Sequence, residues 1–220
     1  SIGLTQLKDV VKRAHGDRVD VRILYLQHDF ALYMEQGQRV GSPGAETGIY
    51  EVLCGNQQHT TGLGDWFFRQ VAFPEQPDNS REYFTRYYPG RSAEVEQFKA
   101  ALLERRRGLA DFLDEAIARH RILESDVVGF STMFQQNVAS IAMARRLKRA
   151  RPDLVIVMGG ANCEPPMGLE LIRGVDAVDH LFSGPALRSF PEWVGRRLDG
   201  DAAGQADIPG VLSRSTLARG

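Results

Sequence analysis

Two nearly uncharged, β-rich runs limit most sharply what this chain can fold into: Val127 to Thr132 (VVGFST) and Leu154 to Met158 (LVIVM). Runs that lack the apolar–polar alternation of a half-solvated strand belong to strands covered on both faces, as in a parallel sheet. Between them, Asn137 to Arg149 carries Val138, Ile141, Ala142 and Leu147 at helical spacing. That segment ends on Arg145, Arg146, Lys148 and Arg149, cations that suit a helix C-terminus. Pro166 to Arg173 opens on a proline, carries Leu169 and Ile172, and leads to a weaker strand at Ala177 to Phe182, after which Ser189 to Leu198 closes as a helix. Strand, helix, strand, helix, strand predicts right-handed crossovers on one α/β sheet.

Upstream, Leu4, Leu7, Val10, Val11 and Ala14 mark an opening helix closed by His15-Gly16-Asp17, and Val21 to Leu26 (VRILYL) reads as the first strand. Residues 30–125 break the alternation. They contain Gly41-Ser42-Pro43-Gly44, then Gly62-Leu63-Gly64-Asp65-Trp66-Phe67-Phe68, then Ala93 to Arg119, which reads as one long amphipathic helix with Phe98, Leu102, Leu109, Phe112, Leu113 and Ile117 on one side. The expected organisation is an α/β domain over residues 1–198 with a mostly helical insertion at 30–125. Residues 199–220, rich in Gly, Ala and Asp, are expected to be a linker. Arg105-Arg106-Arg107 reads as a solvated helix face.

Charge and cysteine usage exclude several functions. With 27 Lys and Arg against 28 Asp and Glu, the formal charge is −1, so nothing draws the chain toward nucleic acid. The longest uncharged run, Val127 to Ala144, carries Ser131, Thr132, Gln135, Gln136, Asn137 and Ser140, and is no membrane span. No basic stretch followed by an apolar one opens the sequence, so a cytoplasmic protein is expected. Cys54 and Cys163 alone give no disulfide framework, no CxxC pair and no local iron–sulfur site.

In an open parallel sheet, ligands sit beyond the carboxyl ends of the strands. Here those ends read Ser131-Thr132-Met133-Phe134-Gln135-Gln136, Gly159-Gly160-Ala161-Asn162-Cys163-Glu164 and Ser183-Gly184-Pro185-Ala186, small or neutral except for Glu164. Neither GxGxxG nor GxxxxGK[ST] occurs, which argues against a nucleotide-phosphate cradle. Adjacent glycines let a flat body approach the backbone, and the neighbouring hydroxyl and amide groups can bond it without a counter-charge. Taken alone, Gly159-Gly160 is more simply a tight strand-to-helix turn.

The combination of Ser131-x-Met133, the downstream Gly159-Gly160 and the Ser183-Gly184 turn ahead of Ser189-Phe190-Pro191-Glu192-Trp193 resembles the cobalamin-binding domain of cobalamin-dependent radical SAM enzymes. The closer resemblance is to the N-terminal part of the RiPP maturation radical SAM proteins, which are peptide C-methyltransferases. It is carried by Ser1-Ile2-Gly3-Leu4-Thr5-Gln6-Leu7-Lys8, Gly64-Asp65-Trp66-Phe67-Phe68-Arg69-Gln70, Asp126-Val127-Val128-Gly129-Phe130, Met158-Gly159-Gly160-Ala161-Asn162-Cys163-Glu164 and Phe182-Ser183-Gly184-Pro185-Ala186. Ser183-Gly184-Pro185-Ala186 stands where the wider group has an acidic Gly-Glu-Gly-Glu-like turn. The resemblance implies a Rossmann-like or flavodoxin-like sheet with flanking helices that holds cobalamin on its strand ends. It also implies a radical SAM domain in the same polypeptide, with S-adenosylmethionine and a [4Fe-4S] cluster, neither bound by these residues, and a precursor peptide as the methylated partner.

No catalytic residue is assigned. Many cobalamin-binding domains use an Asp-x-His whose His coordinates cobalt; no Asp-x-His occurs here, and Asp179-His180 is adjacent. Water, Met133 or Phe134 is therefore expected beneath the cobalt rather than His28 or His180. Cys163 is as readily an inert buried thiol as a functional one, and Trp66, Phe67 and Phe68 are more readily core than a cover for the ring. Two other functions fit the sequence: a cofactor-free interaction domain recognising a precursor peptide or partner subunit through the helical insertion, and a flavodoxin-like small-molecule carrier.

Overall fold

The computed structural model describes residues 2–36, 48–54, 58–205 and 207–217. The Gly41-Ser42-Pro43-Gly44 segment and the side chains of Cys54 and His59 lie outside the described residues. In chain order the longer helices are α1 (Ile2–His15), α2 (Leu26–Glu35), α3 (Leu63–Ala72), α4 (Ser80–Tyr87), α5 (Ala93–Arg107), α6 (Leu109–Arg119), α7 (Asn137–Ala150), α8 (Met167–Gly174) and α9 (Ser189–Leu198). The strands are β1 (Val127–Ser131), β2 (Val155–Gly159), β3 (His180–Phe182) and β4 (Val211–Leu212). They form one open sheet in the order β1-β2-β3-β4, parallel except for β4. The α/β class is as expected.

The chain divides into two compact units. One holds the sheet and comprises Ser1–Leu24, Glu124–Phe134 and Lys148–Gly220; the other is helical and comprises Tyr25–Leu123 and Gln135–Leu147.

In the sheet unit, register sets two faces. Val155, Val157 and Phe182 share a face with Val127, and there Trp193 and Phe190 of α9 pack with Ile208 and Val211. The opposite face receives α8, where Gly168 leaves room for Leu181 and for the Cys163 carbonyl. α1 lies beside α9, with His15 Nε2 hydrogen-bonded to the Pro191 carbonyl at 2.8 Å and Arg18 paired with Asp199. Asp179 completes the β2–β3 pairing: its carboxylate accepts from the Ile156 N–H at 2.7 Å and from Lys148 at 2.8 Å.

Two expectations for this unit fail. Val21 to Leu26 is not a strand: residues 19–25 have no regular secondary structure and join no ladder among the described residues, and the chain turns helical at Leu26. β-propensity alone cannot make a strand without a neighbour to receive its hydrogen bonds. Residues 199–217 are not a linker. Pro209-Gly210 is the turn that brings β4 antiparallel onto β3, with the Ser183 N–H bonded to the Gly210 carbonyl and Ile208 and Val211 buried. The apolar pair flanking that turn was outweighed by the surrounding Gly, Ala and Asp.

In the helical unit, Phe30, Tyr33, Phe67, Phe68 and Phe112 form an aromatic core. The expected single helix over Ala93 to Arg119 is two, divided at Gly108. The Tyr33 hydroxyl donates to the Arg105 carbonyl there, and a Cβ at Gly108 would stand 2.6 Å from that hydroxyl. Arg106 is not solvated either. It is 7% exposed, stacks 4.2 Å over Trp66, and donates to Asp78 and Ser80, each at 2.7 Å. It falls between Leu102 and Leu109 on the apolar stripe, where the long arginine stem packs as a hydrophobe.

Asp29 joins α2 to α6, accepting from Arg119 and from His120 Nε2, each at 3.0 Å. Burial alone would raise its carboxyl, but the hydrogen bonds and charges of His120 and Arg119 prevail and hold it below its ordinary 3.8. A carboxyl depressed by folding stabilises fully above its unfolded value, and that contribution is lost as pH falls through the folded one. Asp29→Asn is therefore expected to lower stability at neutral pH and to flatten the loss of stability below about pH 4, read by urea unfolding across that range.

Candidate functional site

Three loops at the carboxyl ends of β1, β2 and β3 carry the residues that the sequence singles out. Thr132, fully buried, sends its N–H to the Gly159 carbonyl at 2.8 Å, so the loop after β1 folds over the end of β2. The Thr132 carbonyl in turn accepts from the Asn162 N–H. Gly160 has φ +102, and a Cβ on it would lie 2.9 Å from the Thr132 nitrogen and closer still to its carbonyl. The missing Cβ at Gly160 is therefore required by the neighbouring backbone. Gly159 differs: a Cβ there would make ordinary contact with Phe182 at 3.6 Å.

Asn162, 8% exposed, donates its side-chain amide to the Phe134 carbonyl at 2.9 Å. Phe134 has φ +52, a left-handed conformation that costs a bulky residue on the order of 1–3 kcal/mol and persists where the surroundings enforce it. Phe134 is nevertheless 68% exposed, beside Met133 at 50% in sequence. Met167, at the start of α8, and Leu187, on the loop after β3, are also exposed. Four exposed large hydrophobic residues thus stand in the segments that follow these strands, Met167 as the first residue of α8, where solvation gives no reason for them.

Glu164, the one acid in these segments, is engaged: it accepts from the Ser183 hydroxyl at 2.8 Å and the Gly184 N–H at 2.6 Å, fastening the second loop to the third. Cys163 is fully buried 3.8 Å from the Thr132 hydroxyl, and burial pushes its thiol up. Ser131, Ala161 and Pro185 are exposed, while Ala186 packs partly against the Trp193 cluster. Gln135 and Gln136 fall in the helical unit, where the Gln135 side chain accepts from the Gly64 N–H. Glu164 and Asn162 as loop fasteners and Met167 and Leu187 as exposed apolar residues were not assigned from sequence. Glu164 left a signal as the lone charge; Met167 left none, because an apolar residue on a helix reads as core, and neither did Leu187, a single apolar residue in a turn.

His180 and His28 are otherwise employed. His180 stands at the amino end of β3, 5.2 Å from Trp193, and burial lowers its pKa so that it is neutral. His28 stacks on Tyr25 in α2. Among the described residues no three His, Cys, Asp or Glu side chains gather as a metal site, and no helix is long and apolar enough to cross a membrane.

Within the helical unit, Asp65, Trp66, Asn79, Tyr83 and Arg86 line an open cavity of about 540 Å³. Trp66 stacks on Tyr83 at 4.7 Å and also carries the Arg106 guanidinium, so these aromatics are built into the wall. Burial raises the Asp65 carboxyl, opposed by the Val138 N–H that it caps at the start of α7. Trp66, Phe67 and Phe68 are all buried.

Comparison of the chain with protein-family models, with curated proteins and with solved structures finds no match in any of the three.

Proposed function

We propose that the chain is a cobalamin-binding α/β domain of Rossmann-like, flavodoxin-like type. In this reading it works with a radical SAM domain of the same polypeptide in the C-methylation of a ribosomally made precursor peptide in the cytoplasm. The observation that carries the reading is the exposure of four large neutral apolar residues, Met133, Phe134, Met167 and Leu187, in the segments that follow β1, β2 and β3. A flat, largely apolar macrocycle suits such residues, because polarisable Met and Phe side chains give dispersion contact without a counter-ion. Bound there, methylcobalamin supplies a transferable methyl group.

The chain's own part is to bind and orient. Asn162 fixes the loop that presents Phe134, and Glu164 ties the adjoining loops together. With the Gly160 surface taken by Thr132 and the polar groups of Thr132 and Asn162 already bonded, the contact falls on the exposed apolar side chains and on exposed Ala161 and Pro185. With His180 packed against Trp193 at the other end of its strand, Met133 and Phe134 are among the side chains that would contact the corrinoid.

The test is reconstitution with hydroxocobalamin, desalting and absorption spectroscopy. About one corrinoid retained per chain, with retention lost in Phe134→Asp but not in His180→Gln, is the expected result. A folded, colourless protein overturns the reading. The cavity at Asp65 and Tyr83 favours a second reading, a cofactor-free domain that recognises a peptide, and peptide binding by the colourless protein that is lost in Asp65→Asn would carry that one instead.

A further inference from the structure

We propose that the open cavity of the helical unit binds a free α-amino acid with an aromatic side chain, its ammonium held by Asp65 and its carboxylate by Arg86. The site lies wholly within that unit, and the proposal does not depend on corrinoid binding.

Two ion pairs that the sequence sets up around this cavity are not made. Asp65 and Arg69 stand four residues apart on α3, and Glu82 and Arg86 four apart on α4, the spacing at which opposite charges meet on one helix face. The same spacing does give ion pairs elsewhere, Asp9 with Arg13 at 2.9 Å and Glu192 with Arg196 at 2.7 Å. Around the cavity the charges turn to other partners. Asp65 accepts from the Val138 N–H at 3.4 Å, and Arg69 donates to the Pro77 carbonyl at 2.8 Å. Arg86 lies over the Tyr87 ring, 5.2 Å from its centre, and among the described residues it pairs with no carboxylate. Asp65, Arg69, Glu82 and Arg86 all line the cavity.

Separated in this way, the groups keep their capacity for a ligand. Burial raises the Asp65 carboxyl and only the Val138 N–H opposes it, so no arginine offsets its charge. A carboxylate with one long backbone hydrogen bond can accept several more, and a guanidinium that rests on a ring keeps its donors. Two acids against two arginines make a lining with no net charge. A bare cation or a bare anion would meet repulsion there as well as attraction, whereas a molecule carrying one charge of each sign finds a partner for both. Phe73, Tyr83, Tyr87 and Val138 supply the apolar and aromatic part of the wall, against which a ring can pack. The volume, about 540 Å³, falls within the ~300–1,000 Å³ of small-molecule sites.

Isothermal titration calorimetry on the 220-residue chain tests the site with L-phenylalanine as the probe, and saturable binding is expected. L-Phenylalaninamide lacks the carboxylate and 3-phenylpropanoate lacks the ammonium. Each is expected to bind ~10-fold or more weakly, having lost one charge-assisted contact. Asp65→Asn is expected to bring L-phenylalanine down to the affinity of 3-phenylpropanoate, and Arg86→Gln down to that of L-phenylalaninamide, with far-UV circular dichroism unchanged. Because Asp65 also caps α7, the exposed Arg86 provides the arm in which the fold is not at stake. A folded chain that takes up no L-phenylalanine overturns the proposal, as does equal binding of the three compounds. An end-blocked peptide, acetyl-Ala-Phe-Ala-amide, bound as tightly as the free amino acid would also overturn it and would support the peptide-recognising reading instead. Corrinoid retention is read separately and moves with none of these outcomes.

Discussion

Gly160→Ala is expected to destabilise the protein by about 2–5 kcal/mol, the sum of a φ that non-glycine residues avoid and a side-chain atom driven into the Thr132 backbone. The loop after β1 has nowhere to retreat: its Thr132 N–H is bonded to the Gly159 carbonyl and its Phe134 carbonyl to Asn162. Gly159→Ala, one position earlier, is expected to cost under about 1 kcal/mol, since its new methyl group meets Phe182 at ordinary contact distance. Urea unfolding of both variants decides the matter, and equal losses would mean that Gly160 is not pinned by Thr132. Because Gly160 serves the fold, loss of ligand binding in a Gly160 variant would report unfolding, and Phe134 or Met167 is the better position for probing the site.

Trp193→Ala is the second large effect, at about 3–5 kcal/mol. The indole is fully buried, stacked on Phe190 with ring centroids 6.0 Å apart and set edge-on to Phe182, and it joins Val157 of β2 to Ile208 and Val211 of the returning C-terminal segment. Its Nε1–H is buried with no hydrogen-bond partner. Trp193→Phe removes that unsatisfied donor together with part of the ring, so it is expected to cost less than half as much as alanine. Thermal unfolding of the two variants checks the order; an alanine variant as stable as the phenylalanine one would mean that the cluster collapses into the space.

How much of this was legible in the sequence follows the range over which each signal acts. Strands β1 and β2 and helices α7, α8 and α9 were readable because a buried run and a helical stripe are local patterns. Residues 19–25 misled for the converse reason: their composition is that of a strand, but pairing depends on a neighbour that no local pattern reveals. The division at Gly108 depends on Tyr33, distant in sequence, and the burial of Arg106 on Asp78, Ser80 and Trp66. The candidate site was legible as an address, the carboxyl ends of three strands, and as a neutral chemistry. Its working parts were not: Gly160 answers to a backbone carbonyl, while Phe134 is held exposed by an asparagine whose partner could be known only from the fold.

The antiparallel return of Val211 and Leu212 bears on how the protein can be shortened. A boundary at residue 198, where composition changes, would strip Ile208 and Val211 from Trp193 and leave the backbone of β3 unpaired on that side. An apolar strand exposed in this way is a template for edge-to-edge association with other copies. Fragments ending near residue 198 should therefore precipitate or form concentration-dependent assemblies, whereas fragments ending at residue 217 keep the edge capped and the Arg214 guanidinium on the Val178 carbonyl. The last twenty or so residues act as the sheet's own safeguard against self-association, and a domain boundary is better drawn beyond them.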